Sequence, residues 1–228
     1  MSVLRKMAGV VNALSLVLLA LWFSVQLPTF ATWFYAHEYE KNGTYAVVQM
    51  ETDDLMAVTA HMIDYMRGKE DTLQVDTRVN GEARPFFSER EILHMEDVRG
   101  LFDAGRVIRN VSAALFVVTA AFLIWSRKAG VSAMMKGWRA AALATLGVGV
   151  LTAVAMVADF DRAFTAFHEI FFNNELWLLD ANVDLLVNIV PTPFFMDIAI
   201  VIGITFVLVL AVMETSAAVF LRGLRKQR

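Results

Sequence analysis

Four apolar runs, at 7–30, 107–125, 140–158 and 194–221, constrain this chain more than any other feature. Each holds about the 20 residues that a helix needs to cross roughly 30 Å of hydrocarbon. With 57% of its 228 residues hydrophobic, the chain is far more apolar than a water-soluble domain of that length. The expected fold class is an all-α membrane protein with four transmembrane helices, a single membrane domain over 1–228. The longer connections, 31–106 and 159–193, would carry whatever chemistry it performs.

Basic residues set the expected direction of insertion. Arg5 and Lys6 precede the first run, Arg127, Lys128, Lys136 and Arg139 fill the second connection, and Arg222, Arg225, Lys226 and Arg228 close the chain. These segments are almost free of acids, whereas in the two longer connections acids outnumber bases. By the positive-inside rule both termini are cytoplasmic and the longer segments extracytoplasmic, in a multi-pass cell-membrane protein. The net charge of -3 hides this asymmetry and points to no nucleic acid. The first run starts basic like a secretory signal, but it is too long for an h-region and Gln26-Leu27-Pro28-Thr29-Phe30-Ala31 is a poor cleavage site, so it reads as an anchor. The absence of cysteine excludes disulfides, thiol nucleophiles and cysteine metal sites.

The first outer segment predicts a small α+β cap of helix, hairpin and helix. Thr52-Asp53-Asp54 ahead of Leu55, Val58, Met62, Tyr65 and Met66 looks like an N-cap and acidic first turn of an amphipathic helix that Gly68 ends. Leu73, Val75, Thr77 and Val79 alternate along a strand, and Asn80-Gly81 is a two-residue turn into a second strand towards Phe87. Ser88-x-x-Glu91 then forms a capping box, with Phe87 and Ile92 as a hydrophobic staple. His94 thereby falls in the second turn of a helix. Ile92, Met95, Val98 and Phe102 make its apolar stripe, while Glu91, His94 and Asp97 follow one another at i, i+3 on another side. A solvated surface histidine beside two carboxylates fits this pattern as well as a catalytic one does. The capping box already accounts for Glu91, which leaves Asp97 to orient the imidazole and raise its basicity.

The second outer segment carries Phe160, Phe164, Phe167, Phe171 and Phe172, an aromatic face suited to the headgroup level, with His168 embedded in it. A histidine anchored by ring packing is the plainer reading of His168 alone. Trp177, Leu178 and Leu179 extend the apolar surface into a wall that could hold acyl chains, and Pro191-x-Pro193 breaks the chain before the last run.

Taken together, Glu91-x-x-His94-Met95-x-Asp97-Val98, Phe167-His168-x-x-Phe171-Phe172-x-Asn174-x-x-Trp177-x-Leu179-Asp180 and Pro191-x-x-Phe194-Phe195 resemble the lipoprotein intramolecular transacylase family. The resemblance covers most of the chain and is weakest over 31–84. It implies transfer of an acyl chain from the glycerol of a diacylglyceryl lipoprotein to the α-amino group of that lipoprotein's N-terminal cysteine. The implied partners are that lipoprotein and membrane lipid, with no cofactor, and the chain is expected to act as a monomer. His94 and His168 agree with the family's catalytic positions. Acyl transfer needs an amine deprotonated, an oxyanion stabilised and a departing alkoxide protonated, and two imidazoles can divide this work. The first assignment makes His94, supported by Asp97, the base and His168 the donor; the reverse stays open. Asn174 and Trp177, inside the motif, are candidate substrate contacts. Arg90 and Arg99 could hold a lipid phosphate or the substrate backbone.

Two other readings compete. Glu91-x-x-His94 has the helix spacing of carboxylate-bridged metal sites, and His168-Glu169, His37-Glu38 and His61 could add ligands for a metal-dependent membrane hydrolase. A non-enzymatic transporter or sensor with an outer ligand-binding cap is the other. Against it, the acid deepest in an apolar run is Glu214, roughly 26 Å along a helix from Asp197, where snorkelling or an ion pair with Arg222 explains it. Asp159 and Asp197 mark outer span ends, His37 beside Tyr35 and Tyr39 reads as an interfacial anchor, and His61 as solvent-facing.

Overall fold

A computed structural model describes residues 2–226. Arg228, of the basic C-terminal group, lies outside the described residues, as does the side chain of Arg225. The element order is α1 (Val3–Thr29), α2 (Thr32–Asn42), α3 (Thr44–Val48), α4 (Thr52–Met66), β1 (Asp76–Val79), β2 (Glu82–Pro85), α5 (Glu89–Trp125), α6 (Arg127–Ala158), α7 (Phe160–Phe171), α8 (Leu186–Ile189) and α9 (Thr192–Lys226). The fold is mostly helical. Among the described residues, α1, α5, α6 and most of α9 are long and apolar enough to cross a membrane. By contacts the chain forms two compact units, one of residues 27–104 and 159–200, the other of the remainder.

In the unit made of the apolar parts of α1, α5, α6 and α9, small and flexible side chains fill the interior. Ala13, Ala142, Leu210 and Met213 form one cluster, and Leu123, Ala133, Met134, Met135 and Ala217 another. Gly9 and Gly137 let α1 and α6 touch backbone to backbone, since a Cβ on Gly137 would strike the Gly9 carbonyl. The fully buried Asn12 joins three helices: its Nδ2 donates to Phe116 O at 3.0 Å and Thr119 Oγ1 at 2.9 Å, and its Oδ1 accepts from Trp138 Nε1 at 2.9 Å. Val117, Val118, Leu151, Val154, Val157 and Val212 are exposed, as side chains facing hydrocarbon would be. Two expectations change here. The connection between the second and third runs shrinks to a turn at Ser126, so Arg127, Lys128, Lys136 and Arg139 lie on α6; Gly130 permits this because a Cβ there would run into the Leu123 carbonyl. Glu214 pairs with Arg139 at 3.4 Å, since α6 presents that guanidinium where Arg222 was expected.

The other unit contains the cap, with α2 and α3 in addition to the expected helix and hairpin. Tyr39 is fully buried and bonds Thr59 at 2.9 Å, while Phe34 and Tyr35 pack on Phe194 at 5.5 and 5.0 Å between ring centroids. Lys41 of α2 pairs with Asp197, which therefore does more than mark an interface. In α4 the N-cap position is Glu51, without a side-chain cap, rather than Thr52. The hairpin has the expected turn: Val79 faces Glu82, with Asn80 and Gly81 at φ of 52° and 78°. It is shorter than the alternation from Leu73 suggests, since Leu73 is drawn into the core and Pro85 ends the second strand. His61 is half-buried with Nε2 2.9 Å from Thr72 O, so it is not simply solvent-facing, whereas His37 is exposed.

Candidate active site

Both halves of the capping box at the start of α5 are made. Ser88 N donates to Glu91 Oε2 at 2.6 Å, and Glu91 N donates to Ser88 Oγ at 3.2 Å. The side of α5 that carries Glu91 and His94 is not solvated: they are 0% and 7% exposed. The second outer segment covers it. Asp159 ends α6 and caps α7 by accepting from Arg162 N at 3.0 Å, and the last turn of α7 holds His168, itself 7% exposed.

Residues 173–190 are fastened to the start of α5 by polar contacts of Ser88, Arg90, Glu91 and Asp97. Ser88 Oγ donates to Asp184 Oδ1 at 2.8 Å, and Arg90 Nη2 donates to Glu175 O at 2.6 Å. Leu186 N donates to Glu91 Oε1, and Asn174 Nδ2 donates to Asp97 Oδ2 at 2.8 Å. Capping therefore explains one oxygen of Glu91; the other holds the backbone where α8 begins. Burial raises the Glu91 pKa above the ordinary carboxyl value, an effect that the two amides oppose.

These tethers accompany a close approach of the two histidines. Their ring centroids are 6.1 Å apart with planes at 33°. Phe172 lies 5.3 Å from His94 and 5.6 Å from His168, while Phe164 and Trp177 approach His168 to 4.2 and 4.8 Å. His168 Nδ1 is 2.8 Å from Phe164 O. A carbonyl can only accept, so Nδ1 carries the proton and Nε2 of the neutral ring keeps a lone pair. His94 Nδ1 is buried with no hydrogen-bond partner among the described residues. An orphan polar atom of this kind is rare in a native interior and costs about 1–3 kcal/mol.

Burial pushes both imidazole pKa values below the ordinary histidine value, His94 to about 4. For His94 desolvation is the largest cause, repulsion from His168 adds to it, and Asp97 works the other way. Asp97 was expected to orient His94. Its Oδ2 instead accepts from Asn174, and its influence on His94 is that of a nearby charge.

A neutral buried imidazole makes stability depend on pH. The folded pKa of His94 lies below the unfolded value near 6.5, so its contribution is complete above pH 6.5 and is lost as pH falls towards 4. The size is about 3 kcal/mol at 1.36 kcal/mol per pKa unit. Between pH 7.5 and 4.5 the wild type should therefore lose more thermal stability than His94→Gln, measured as Tm in detergent. Equal losses would contradict a neutral, buried His94.

The remaining candidates take up structural contacts. Arg90 is held by the carbonyls of Glu175 and Leu176, and Arg99 by those of Glu70 and Asp71, with its guanidinium 4.7 Å above the Tyr65 ring. Trp177 stands against His168, and Asn174 bonds Asp97, one turn along α5 from His94. For a metal, Glu91 would have to be free, but its oxygens face two backbone amides. Among the described residues no three histidines or carboxylates converge as a ligand set. The arrangement suits general acid–base chemistry. Sequence reasoning missed the second contact of Glu91 and the buried Asp184. The available signal was Val183-Asp184-Leu185-Leu186-Val187, a lone acid in an apolar stretch outside any span.

The family profile described as lipoprotein intramolecular transacylase Lit matches residues 10–195. Among solved structures, the chain resembles the membrane integral lipoprotein intramolecular transacylase Lit from Bacillus cereus with a TM-score of 0.83 at 15% identity over 98% of each chain. Two structures of that enzyme carrying histidine substitutions each give a TM-score of 0.77 at 15% identity, covering 99% and 98% of this chain and 95% and 96% of those. At that identity the likeness is one of fold. No curated protein sequence matches the chain.

Proposed function

The chain belongs to the lipoprotein intramolecular transacylase family of membrane enzymes, and from that premise we propose how it acts: His168 and His94 move an acyl chain from the glycerol of a diacylglyceryl lipoprotein to the α-amino group of its N-terminal cysteine. The observation that carries this reading is the pair of buried, neutral imidazoles 6.1 Å apart, one with Nε2 unprotonated and one with an unpartnered nitrogen.

The structure favours the reverse of the first role assignment. With Nδ1–H held by Phe164 O, His168 is the proton acceptor through Nε2. The substrate amine attacks the ester carbonyl and gives up its proton to that nitrogen as the C–N bond forms. His94, neutral near pH 7, donates an N–H to the oxyanion. Collapse breaks the C–O bond, and the proton held by His168 passes to the glycerol oxygen. Atoms balance without water or an acyl-enzyme, and proximity of amine and ester within one molecule supplies much of the rate. Ser88 is not the attacking group, because its hydroxyl is shared between Glu91 N and Asp184. On the charge asymmetry of the sequence, this chemistry takes place on the extracytoplasmic side.

The test is a reporter lipoprotein expressed with and without this chain in a host that lacks N-acylation. Mass spectrometry of its N-terminal lipopeptide should show the diacyl form converted to an isomer with one N-acyl and one O-acyl chain. An unchanged diacyl form in the presence of inserted enzyme would refute the reading.

A further inference from the structure

Asp97 makes its hydrogen bond to Asn174 at 2.8 Å, and Asn174 Oδ1 accepts from Leu176 N at 3.0 Å. Arg90, from the same helix, donates to the carbonyls of Glu175 and Leu176. Residues 174–176 are thus pinned to α5 by side-chain to side-chain and side-chain to backbone bonds. The next residue, Trp177, lies nearly parallel to His168, 4.8 Å between ring centroids and 28° between planes. Phe164, the nearest ring to His168, belongs to the same helix, whereas Trp177 lies on the segment that these bonds hold to α5.

We propose that Asp97 is a positioning residue for His168, acting through Asn174 and Trp177, rather than the orienting partner of His94. This rests on the reading of His168 as proton acceptor. The carboxylate holds Asn174, Asn174 fixes the turn to Leu176, and the turn sets the indole against the imidazole. The indole keeps water from that ring and holds its plane towards His94. What reaches His168 from α5 is His94; from its own helix Phe164, Phe167 and the Phe164 carbonyl; from the loop Phe172 and Trp177. The nearest acids in sequence, Asp161, Glu169 and Glu175, are exposed.

Two roles for Asp97 then separate experimentally. A charge acting on His94 is lost in Asp97→Asn as fully as in Asp97→Ala. An acceptor for Asn174 survives in Asp97→Asn, whose amide oxygen can take the same bond, and is lost in Asp97→Ala. Full-length enzyme in nanodiscs is assayed on a diacyl lipopeptide, and the His168 pKa is read separately by NMR of labelled histidine, with His168→Gln identifying the resonance. Asp97→Ala and Asn174→Ala should each lower kcat about 30-fold, within the 10²-fold that a misplacement of about 1 Å costs. The double variant should be no worse than either single one, because both break the same bond. Asp97→Asn should recover most of the loss.

In Asp97→Ala, Asn174→Ala and Trp177→Leu the His168 pKa should rise towards the ordinary histidine value as water reaches the ring, and in Asp97→Asn it should stay low. Asp97→Asn as impaired as Asp97→Ala, or a His168 pKa unmoved by Asn174→Ala, overturns the proposal. If the wild type transfers no acyl chain, the functional reading fails, while the pKa series still decides whether Asp97 positions the cover of His168.

Discussion

His168→Ala should lower formation of the N-acyl lipopeptide by about 10³-fold, within the 10²–10⁴ that a positioned acid or base contributes, assayed below the Tm of the variant, which the lost packing of a buried ring lowers. The reason lies in the hydrogen bond to Phe164, which fixes the tautomer so that the nitrogen facing away from the helix backbone is the basic one. His94→Ala should cost less, about 10²-fold, as the loss of one donor to an oxyanion does. The double variant should fall little below His168→Ala, since the two groups act on one reaction coordinate. The measurement is turnover of a diacyl lipopeptide by purified enzyme, with thermal unfolding as the check on folding. If His94→Ala is dead while His168→Ala keeps a tenth of the activity, the roles are exchanged.

Glu91→Ala should be the most damaging change outside the histidine pair. Glu91 is fully inaccessible, and its two oxygens accept from Ser88 N and Leu186 N. Alanine leaves both amides without a partner in the interior, at about 1–3 kcal/mol each. The expected total of about 4 kcal/mol corresponds to a Tm lower by about 12 °C, at 2–4 °C per kcal/mol for a chain of this size. Glu91→Gln keeps one acceptor oxygen and relieves a buried charge that burial already disfavours, so it should lose less than half as much. Activity should fall with Glu91→Ala even below its Tm, since residues 173–190 lose a tether to the helix that carries His94. A Tm within 2 °C of wild type would show that these amides find water instead.

The sequence made much of this legible because several of its signals are local. Four apolar runs of spanning length, the Asn80-Gly81 turn and the Ser88-x-x-Glu91 box each depend on residues a few positions apart, and each has its counterpart in the structure. Helices α2 and α3 were not legible. In α2, Phe34, Tyr35, Glu38 and Tyr39 form a buried face, but the charges of Glu38, Glu40 and Lys41 interrupt any apolar stripe, and His37 beside Tyr35 and Tyr39 read as an interfacial anchor. Thr52 looked like a cap because its residue type is right, yet Glu51 occupies that position without using its side chain. The connection at 126–139 looked like a loop because basic residues fill it, whereas helix formation there needs only exposed positions on α6 for their charges.

At the candidate site the division is sharper. Residue types and spacing picked out His94, His168 and Asp97, because acid–base groups amid aromatic and apolar residues stand out along a chain, and the family resemblance added Asn174 and Trp177. They could not tell which group Asp97 bonds or that both oxygens of Glu91 are used. Those outcomes rest on partners 77 and 95 residues apart, Asp97 with Asn174 and Glu91 with Leu186. A local pattern fixes what a side chain can donate or accept. Burial, partner and protonation state follow from which distant segment comes to cover it, and only the packing of residues 159–200 against the start of α5 determines that.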